Sequence, residues 1–342
     1  MRALVLSQTL SYCDSVPDPI PTEGEALVAV RQAGICNTDV ELLRGYMGFS
    51  GIPGHEFVGT LLEVPPGHVD EAGRPLETGC RVVAEINCSP PPSPPTAALR
   101  AHDPCRTTLG IFRRNGAFAQ YLTVPAQNLH RVPDEVSDDQ AIFVEPLAAA
   151  LQIPNQVHMA PTDHVAVLGD GKLGLLCAQV LAHASAAKVT AIGKHPHKLA
   201  LLAGHPLATR LLSQLGDDAA ARFDVVVDCT GSPSGLSQAI KILRPRGTLV
   251  LKSTYAPPSV VKDNANGQDG AAQFAAALTQ IVIDEISVVG SRCGPFAAAL
   301  RLLAQKRIIV DPMISARYAL SDGLAAFADA MTKSQLKVVL TP

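Results

Sequence analysis

Cys36, His55 and Glu56 bring a thiol, an imidazole and a carboxylate into one short stretch, and these are residue types that bind zinc. The stretch runs G-I-C-N-T-D-V-E-L-L-R-G-Y-M-G-F-S-G-I-P-G-H-E-F-V-G, residues 34–59. Gly45, Gly48, Gly51, Gly54 and Gly59 allow the backbone to turn tightly between the chemical groups. Taken singly, Cys36 reads as a buried thiol and His55 as a satisfied core histidine; their company makes the metal-centre reading the stronger one. Glu145, in F-V-E-P-L-A, precedes a proline and is expected at a helix N-terminus, where its side chain either points into a site or caps the helix.

A second chemical motif is Gly169-Asp170-Gly171-Lys172-Leu173-Gly174, which fits G-x-G-x-x-G. The pattern is weak alone, but here it follows a predicted strand, H-V-A-V-L-G, and opens a predicted helix over 172–184. Gly169 makes the tight turn, Gly171 lets a pyrophosphate approach the backbone, and Gly174 lets helix and strand pack closely. The helix start, at Lys172 and Leu173, then faces the phosphates with free N–H groups. About twenty residues on, an NAD-binding unit presents an acid to the adenosine ribose. The corresponding run is A-I-G-K-H-P-H-K, with Gly193 where the acid would stand and Lys194, His195 and Lys198 beside it. Missing carboxylate and added cations favour a 2′-phosphate, so the expected cofactor is NADP(H) over NAD(H); the plainer reading is a solvated basic turn.

The elements that must position these groups fall into two kinds. Up to about residue 133, short apolar runs broken by Gly and Pro (3–6, 25–30, 56–64, 81–86, 118–124) read as an irregular β-rich domain, with the candidate ligands on loops and strand ends. Within it, C-S-P-P-P-S-P-P-T-A-A-L-R-A-H-D-P-C, residues 88–105, is expected to be a surface lobe without regular helix. Residues 138–157 read as helix broken near Glu145-Pro146 and again at Pro154. From His164 strands and helices alternate, which implies a doubly wound parallel sheet. Residues 257–270 read as an exposed polar loop, 296–305 and 321–331 as short helices, and K-V-V-L as a last strand. The fold class is α/β.

Composition narrows the partners. The 342 residues, 47% apolar and 17% charged, suit about two globular domains. A net charge of -3 and a pI near 6.4 leave no footprint for nucleic acid. No run is long and apolar enough for a membrane span or a signal segment, so a cytoplasmic enzyme is expected. The eight cysteines are too scattered for a disulfide framework.

G-I-C-N-T-D, P-G-H-E-F-V-G, F-V-E-P-L-A and the dinucleotide unit together resemble the zinc-dependent medium-chain dehydrogenase/reductases, over essentially the whole chain. The E-P-L-A form is closer to the sorbitol, glucose and threonine dehydrogenases than to the liver alcohol dehydrogenase type. The resemblance implies a GroES-like catalytic domain (1–150 and 291–342) around a Rossmann domain (151–290). It makes Cys36 and His55 zinc ligands, Glu56 a ligand or switching carboxylate, and Glu145 the remaining protein position, with Glu56 and Glu145 free to exchange roles. Asp39 would orient a ligand imidazole, or else cap a turn or helix. Thr38 would pass the substrate proton outward, and the place of a relay histidine in some relatives is taken by Glu41. Gly290 and Arg292 look like the segment whose backbone holds the nicotinamide carboxamide, with Arg292 alternatively capping a helix or binding a neighbouring subunit. Many relatives carry a structural zinc in a four-cysteine lobe; only Cys88 and Cys105 remain here, with His102 a third conceivable ligand, so no structural zinc is expected. Tyr46, Met47 and Phe49 either line the substrate pocket or simply pack.

The expected activity is hydride transfer between an alcohol or polyol, or its carbonyl form, and NADP(H), with one catalytic zinc, in a homodimer or homotetramer. The alternatives are a zinc-free quinone or enone reductase on the same scaffold and a catalytically impaired cofactor-binding protein.

Overall fold

Glu25–Gly34 alternates along its length, burying Ala26, Val28 and Val30, and stands at the middle of a seven-stranded sheet. Alternation of this kind gives one face to the core and one to polar surroundings. Across the sheet the order is Leu129–Arg131, Arg81–Ala84, Glu56–Glu63, Glu25–Gly34, Lys337–Thr341, Ile314–Ala319, with Tyr121–Pro125 also pairing on Glu25–Gly34. In the computed structural model the described residues are 1–94, 96–216, 222–254 and 270–342. They divide into two compact units, Met1–Ala148 with Cys293–Pro342, and Ala149–Arg292.

The first unit has its core under the sheet, where Phe118 meets Phe327 edge-on with ring centroids 5.7 Å apart. The register sets the site: Gly34 pairs with Glu56 on one side and with Val339 on the other. A buried ion network holds the proline-rich lobe. Arg100 donates to Glu85 at 2.8 Å, and His130 Nε2 lies 3.0 Å from the other oxygen of Glu85. Within that lobe Ala97–Arg100 forms a helical turn capped by Thr96, a correction to the expectation of no helix; the prolines stop short of it.

The second unit is a six-stranded parallel sheet. Its strands are His164–Leu168, Lys188–Gly193, Ala208–Leu211, Phe223–Asp228, Leu243–Leu251 and Ser287–Gly290. Taken in chain order they lie 3-2-1-4-5-6. This is the order of two mononucleotide-binding halves that place a dinucleotide across the carboxyl ends of the strands.

Several sequence expectations need correction. Cys36 does sit just past a strand end, in the two-residue link after Gly34, but it also serves as N-cap of an unexpected helix, Asn37–Leu43, too short for its periodicity to register. The break in 138–157 falls at residues 142–143, between Asp138–Ala141 and Val144–Gln156, so Glu145 stands in the first turn of the second helix. Pro154 does not break that helix, because one forfeited bond near a helix end is tolerable. The strand expected over 118–124 begins only at Tyr121. Residues 257–269 of the expected polar loop lie outside the described residues, and Gly270 opens a helix, Gly270–Ile283.

Candidate active site

At the N-terminus of the Asn37–Leu43 helix, Asp39 accepts the backbone N–H of Cys36 at 2.8 Å, which fixes the chain where the thiol emerges. The other oxygen of Asp39 takes the Gly54 N–H at 3.3 Å and lies 3.3 Å from Nδ1 of His55. One fully buried carboxylate therefore holds both ends of the 36–55 excursion. The Cys36 sulfur also donates to Thr38 Oγ1 at 3.8 Å.

Cys36, His55 and Glu56 each offer a ligand atom, all within 4.8 Å of one another. His55 Nδ1 is buried and makes no aligned hydrogen bond, although it faces Asp39. With Nδ1 turned to that carboxylate, Nε2 is the nitrogen available to a metal. Burial disfavours the charged ring, but the Asp39 carboxylate and the Cys36 sulfur outweigh it and raise the His55 pKa well above the usual histidine value. The pocket thus draws a positive charge to the imidazole. Thiol, imidazole and carboxylate with ligand atoms this close together suit a zinc ion, and the residues fit it.

Glu56 is also in contact with Lys337 Nζ, and both side chains are fully buried. The ammonium lies 5.1 Å from the centre of the Phe143 ring. Gly34 makes this pair feasible: a Cβ there would stand 2.9 Å from Lys337 Cδ and 3.1 Å from Glu56 Oε2. Lys337 was missed in the sequence, where it reads as the polar start of an apolar strand; only the placing of Glu25–Gly34 between the Glu56–Glu63 and Lys337–Thr341 strands reveals it.

The other expected residues are placed differently. Glu145 is half-buried and lies outside the three-residue cluster. Glu41 accepts from Arg44 at 2.7 Å. Phe49 is buried with Leu6 and Leu42, and Tyr46 packs against them, so packing accounts for both; Met47 is exposed with φ 58°. Cys88 is buried, which pushes its thiol up to about 12, whereas Cys105 is exposed. Among the described residues, these two cysteines and His102 do not form a cluster of ligand atoms. Glu71, Glu85 and His130 do, but Arg100 already neutralises Glu85.

In the second unit Gly171 is the N-cap of the Lys172–Ala184 helix, and a Cβ there would meet nothing within 4 Å. The protein leaves that space open, as a phosphate cradle requires. At Gly174 a Cβ would stand 1.9 Å from the Gly169 carbonyl oxygen, so close helix–strand packing needs glycine. The end of the Lys188–Gly193 strand holds a group absent from the sequence reading. Asp170, from inside the glycine loop, accepts the backbone N–H groups of Lys194 and His195, both at 2.6 Å, and lies 3.0 Å from His195 Nδ1. A Cβ on Gly193 would meet that carboxylate at 2.5 Å, so an acid is excluded at 193 by one already present. Burial raises the Asp170 pKa, but the N–H donors and His195 hold it below the usual carboxylate range. Lys194 is exposed and His195 half-exposed, but Lys198 is buried, which lowers its pKa and removes it from the solvated turn. Gly290 and Arg292 are exposed at the end of the last strand.

Residues 22–134 match the family described as alcohol dehydrogenase GroES-like domain, and residues 139–341 match the glucose dehydrogenase C-terminus. The chain belongs to the zinc-type medium-chain alcohol and polyol dehydrogenases. Among relatives of this dehydrogenase are the sorbitol dehydrogenase of Halalkalibacterium halodurans, 28% identical and covering 100% of this chain and 99% of its own length, and the L-threonine 3-dehydrogenase of Streptomyces avermitilis, 29% identical with 99% of each covered. A Sinorhizobium meliloti structure described as a zinc-binding dehydrogenase bound to NADP is 26% identical, with a TM-score of 0.80 over 100% of this chain and 99% of that one. The 2R,3R-butanediol dehydrogenase of Bacillus subtilis is 25% identical, with a TM-score of 0.79 and the same coverage. Homologues in this family bind zinc and nicotinamide cofactors and act on small alcohols and polyols. Among the described residues no helix is long and apolar enough to cross a membrane.

Proposed function

We propose that this enzyme oxidises a polyol or related secondary alcohol, or reduces the matching ketone, with one zinc per chain and NADP(H) as cofactor. The observation that carries the reading is the Cys36, His55, Glu56 cluster, with Asp39 behind the imidazole and Lys337 behind the carboxylate. When bound, zinc supplies Lewis acidity that lowers the pKa of a substrate hydroxyl, and the nicotinamide supplies the hydride acceptor.

The chain's own groups do the rest. Cys36 and His55 hold the metal, and Asp39 keeps Nδ1 of His55 turned away so that Nε2 faces it. Glu56 is the third donor, and Lys337 offsets part of its charge. Thr38, whose hydroxyl lies beside the Cys36 sulfur, takes the substrate proton toward solvent. Glu145 is the remaining candidate for the metal, supplied by the first turn of its helix.

For the cofactor, the exposed Lys194 supplies a cation at the ribose corner and the half-exposed His195 ring lies beside it, which supports a 2′-phosphate. The Asp170 carboxylate does not oppose this reading, because it is engaged by two backbone N–H groups and the His195 ring. Assembly as a homodimer or homotetramer is supported by the exposed edge strand Ser287–Gly290 and by Phe274, Leu278 and Val282, exposed four residues apart on the Gly270–Ile283 helix. The test is metal quantification on the purified protein, then a panel of polyols, sugars and simple alcohols with NADP and with NAD. One zinc and chelator-sensitive polyol oxidation that prefers NADP are expected. Activity that survives complete zinc removal would defeat the reading.

A further inference from the structure

Lys252 is a buried lysine that neither motif explains. It follows the Leu243–Leu251 strand at its carboxyl end, and only 8% of its surface is exposed. Its backbone N–H donates to the Asp228 carbonyl at 3.0 Å, continuing the sheet toward the end of the neighbouring strand. The ammonium donates to Ser291 Oγ at 3.1 Å and to the Arg292 carbonyl at 2.7 Å. Ser291 is itself held by its N–H on the Leu251 carbonyl at 3.1 Å.

Burying an ammonium is costly unless its donors are satisfied, so a lysine persists in such a place only where those bonds matter. Here two of them end on the 290–292 segment just after the last strand. In a sheet ordered 3-2-1-4-5-6, the carboxyl ends of strands four, five and six form the second mononucleotide half, and the glycine loop belongs to the first. Lys252, Ser291 and Arg292 are therefore in the half opposite the adenosine corner. Gly290 has open space where a Cβ would stand, and its carbonyl is fixed by Gln156 Nε2 at 3.1 Å.

We infer that Lys252 is a positioning residue for the nicotinamide half of the cofactor: its ammonium holds Ser291 and the Arg292 carbonyl so that the 290–292 backbone is shaped to receive the nicotinamide. The inference rests on the dinucleotide-binding reading proposed above. It separates the roles of the two halves of the sheet, since Asp170 orders the adenosine corner and Lys252 the nicotinamide corner. The role is positional; Lys252 takes no part in hydride transfer.

The experiment compares K252M, K252R and S291A with the wild-type full chain. The probes are ADP-ribose, 2′-phospho-ADP-ribose and the reduced cofactors, read by calorimetry and by the emission of bound dihydronicotinamide. The chain has no tryptophan, so that emission is read without transfer from tryptophan. K252M is expected to bind the preferred ADP-ribose fragment within about twofold of wild type. Its Kd for the matching reduced cofactor should rise about tenfold, the size of one charged hydrogen bond, and the emission change on binding should be lost. K252R should recover part of the affinity. S291A, which removes one acceptor and keeps the charge, should show a smaller shift in the same direction, and it carries the test if K252M does not fold. Unchanged binding of the reduced cofactor in S291A and in whichever Lys252 variants fold overturns the inference. Equal weakening of fragment and whole cofactor also overturns it, since that marks a residue serving the fold alone. If the wild type binds neither fragment nor cofactor, the dinucleotide reading itself falls and takes this inference with it.

Discussion

Lys337, near the C-terminus, and Glu56, next to His55, form a fully buried ion pair through the gap left by Gly34. The pair is made by sheet register alone, since the strand carrying Gly34 lies between theirs. Removing one partner of a buried pair leaves the other uncompensated, at about 3–5 kcal/mol. K337M should therefore destabilise the zinc-free protein by about that much. Restoring neutrality in the double variant K337M/E56Q should recover most of the loss. Denaturant unfolding of the wild type, K337M, E56Q and the double variant gives the coupling directly, and purely additive losses would show that the two residues act independently.

Asp39 offers a separable test of the proposed metal centre, because it contacts His55 without belonging to the Cys36, His55, Glu56 cluster. D39N keeps the shape but removes the charge that favours a correctly oriented imidazole. Zinc affinity should fall about 10–100-fold, measured by competition with a chromogenic chelator. C36S should bind more weakly still. An unchanged affinity in D39N would mean the carboxylate serves only the helix cap.

The ribose corner predicts cofactor choice. K194A/H195A should lower kcat/KM with NADP about tenfold or more, as expected for loss of a charged hydrogen bond, and leave NAD turnover nearly unchanged. Parallel losses with both cofactors would count against recognition of a 2′-phosphate. G193D should impair both, since its Cβ would stand 2.5 Å from the Asp170 carboxylate.

Asp70 predicts part of the acid response. It accepts the N–H groups of Ala72, Arg74 and Arg131 and pairs with the Arg74 guanidinium. Burial raises its pKa, but these donors bring it below the usual carboxylate value. A folded pKa below the unfolded value of about 3.9 gives stability that is complete above the unfolded value and is lost as pH falls through the folded one. D70N should thus be less stable than wild type at neutral pH by about 1–3 kcal/mol. The gap should close as pH falls through the lowered folded pKa, below the ordinary carboxylate range. A gap that persists in acid would assign the effect to packing.

How much of this was legible beforehand varied with the range of the signal. Cys36, His55 and the glycine loop could be found because their chemistry is local: residue types at short spacing, and a strand-to-helix change of period around 169–174. The parallel sheet followed from the same alternation. What the periodicity did not carry was short or crossed the chain. The Asn37–Leu43 helix and the Ala97–Arg100 turn are too brief to repeat a pattern. The Ile314–Ala319 strand alternates only half-buried and exposed residues, so it has no apolar stripe to recognise.

The sequence by itself determined the donor types, the nucleotide loop and the α/β class, since each depends on residues near one another in the chain. Tertiary structure alone decided which carboxylates matter. Register set Lys337 against Glu56, and the turn after the second strand of the parallel sheet bent back onto Asp170 of the first loop. A sequence showing glycine at 193 therefore reads as lacking an acid, while the folded corner has one. Charges act through space, and only the fold fixes those distances.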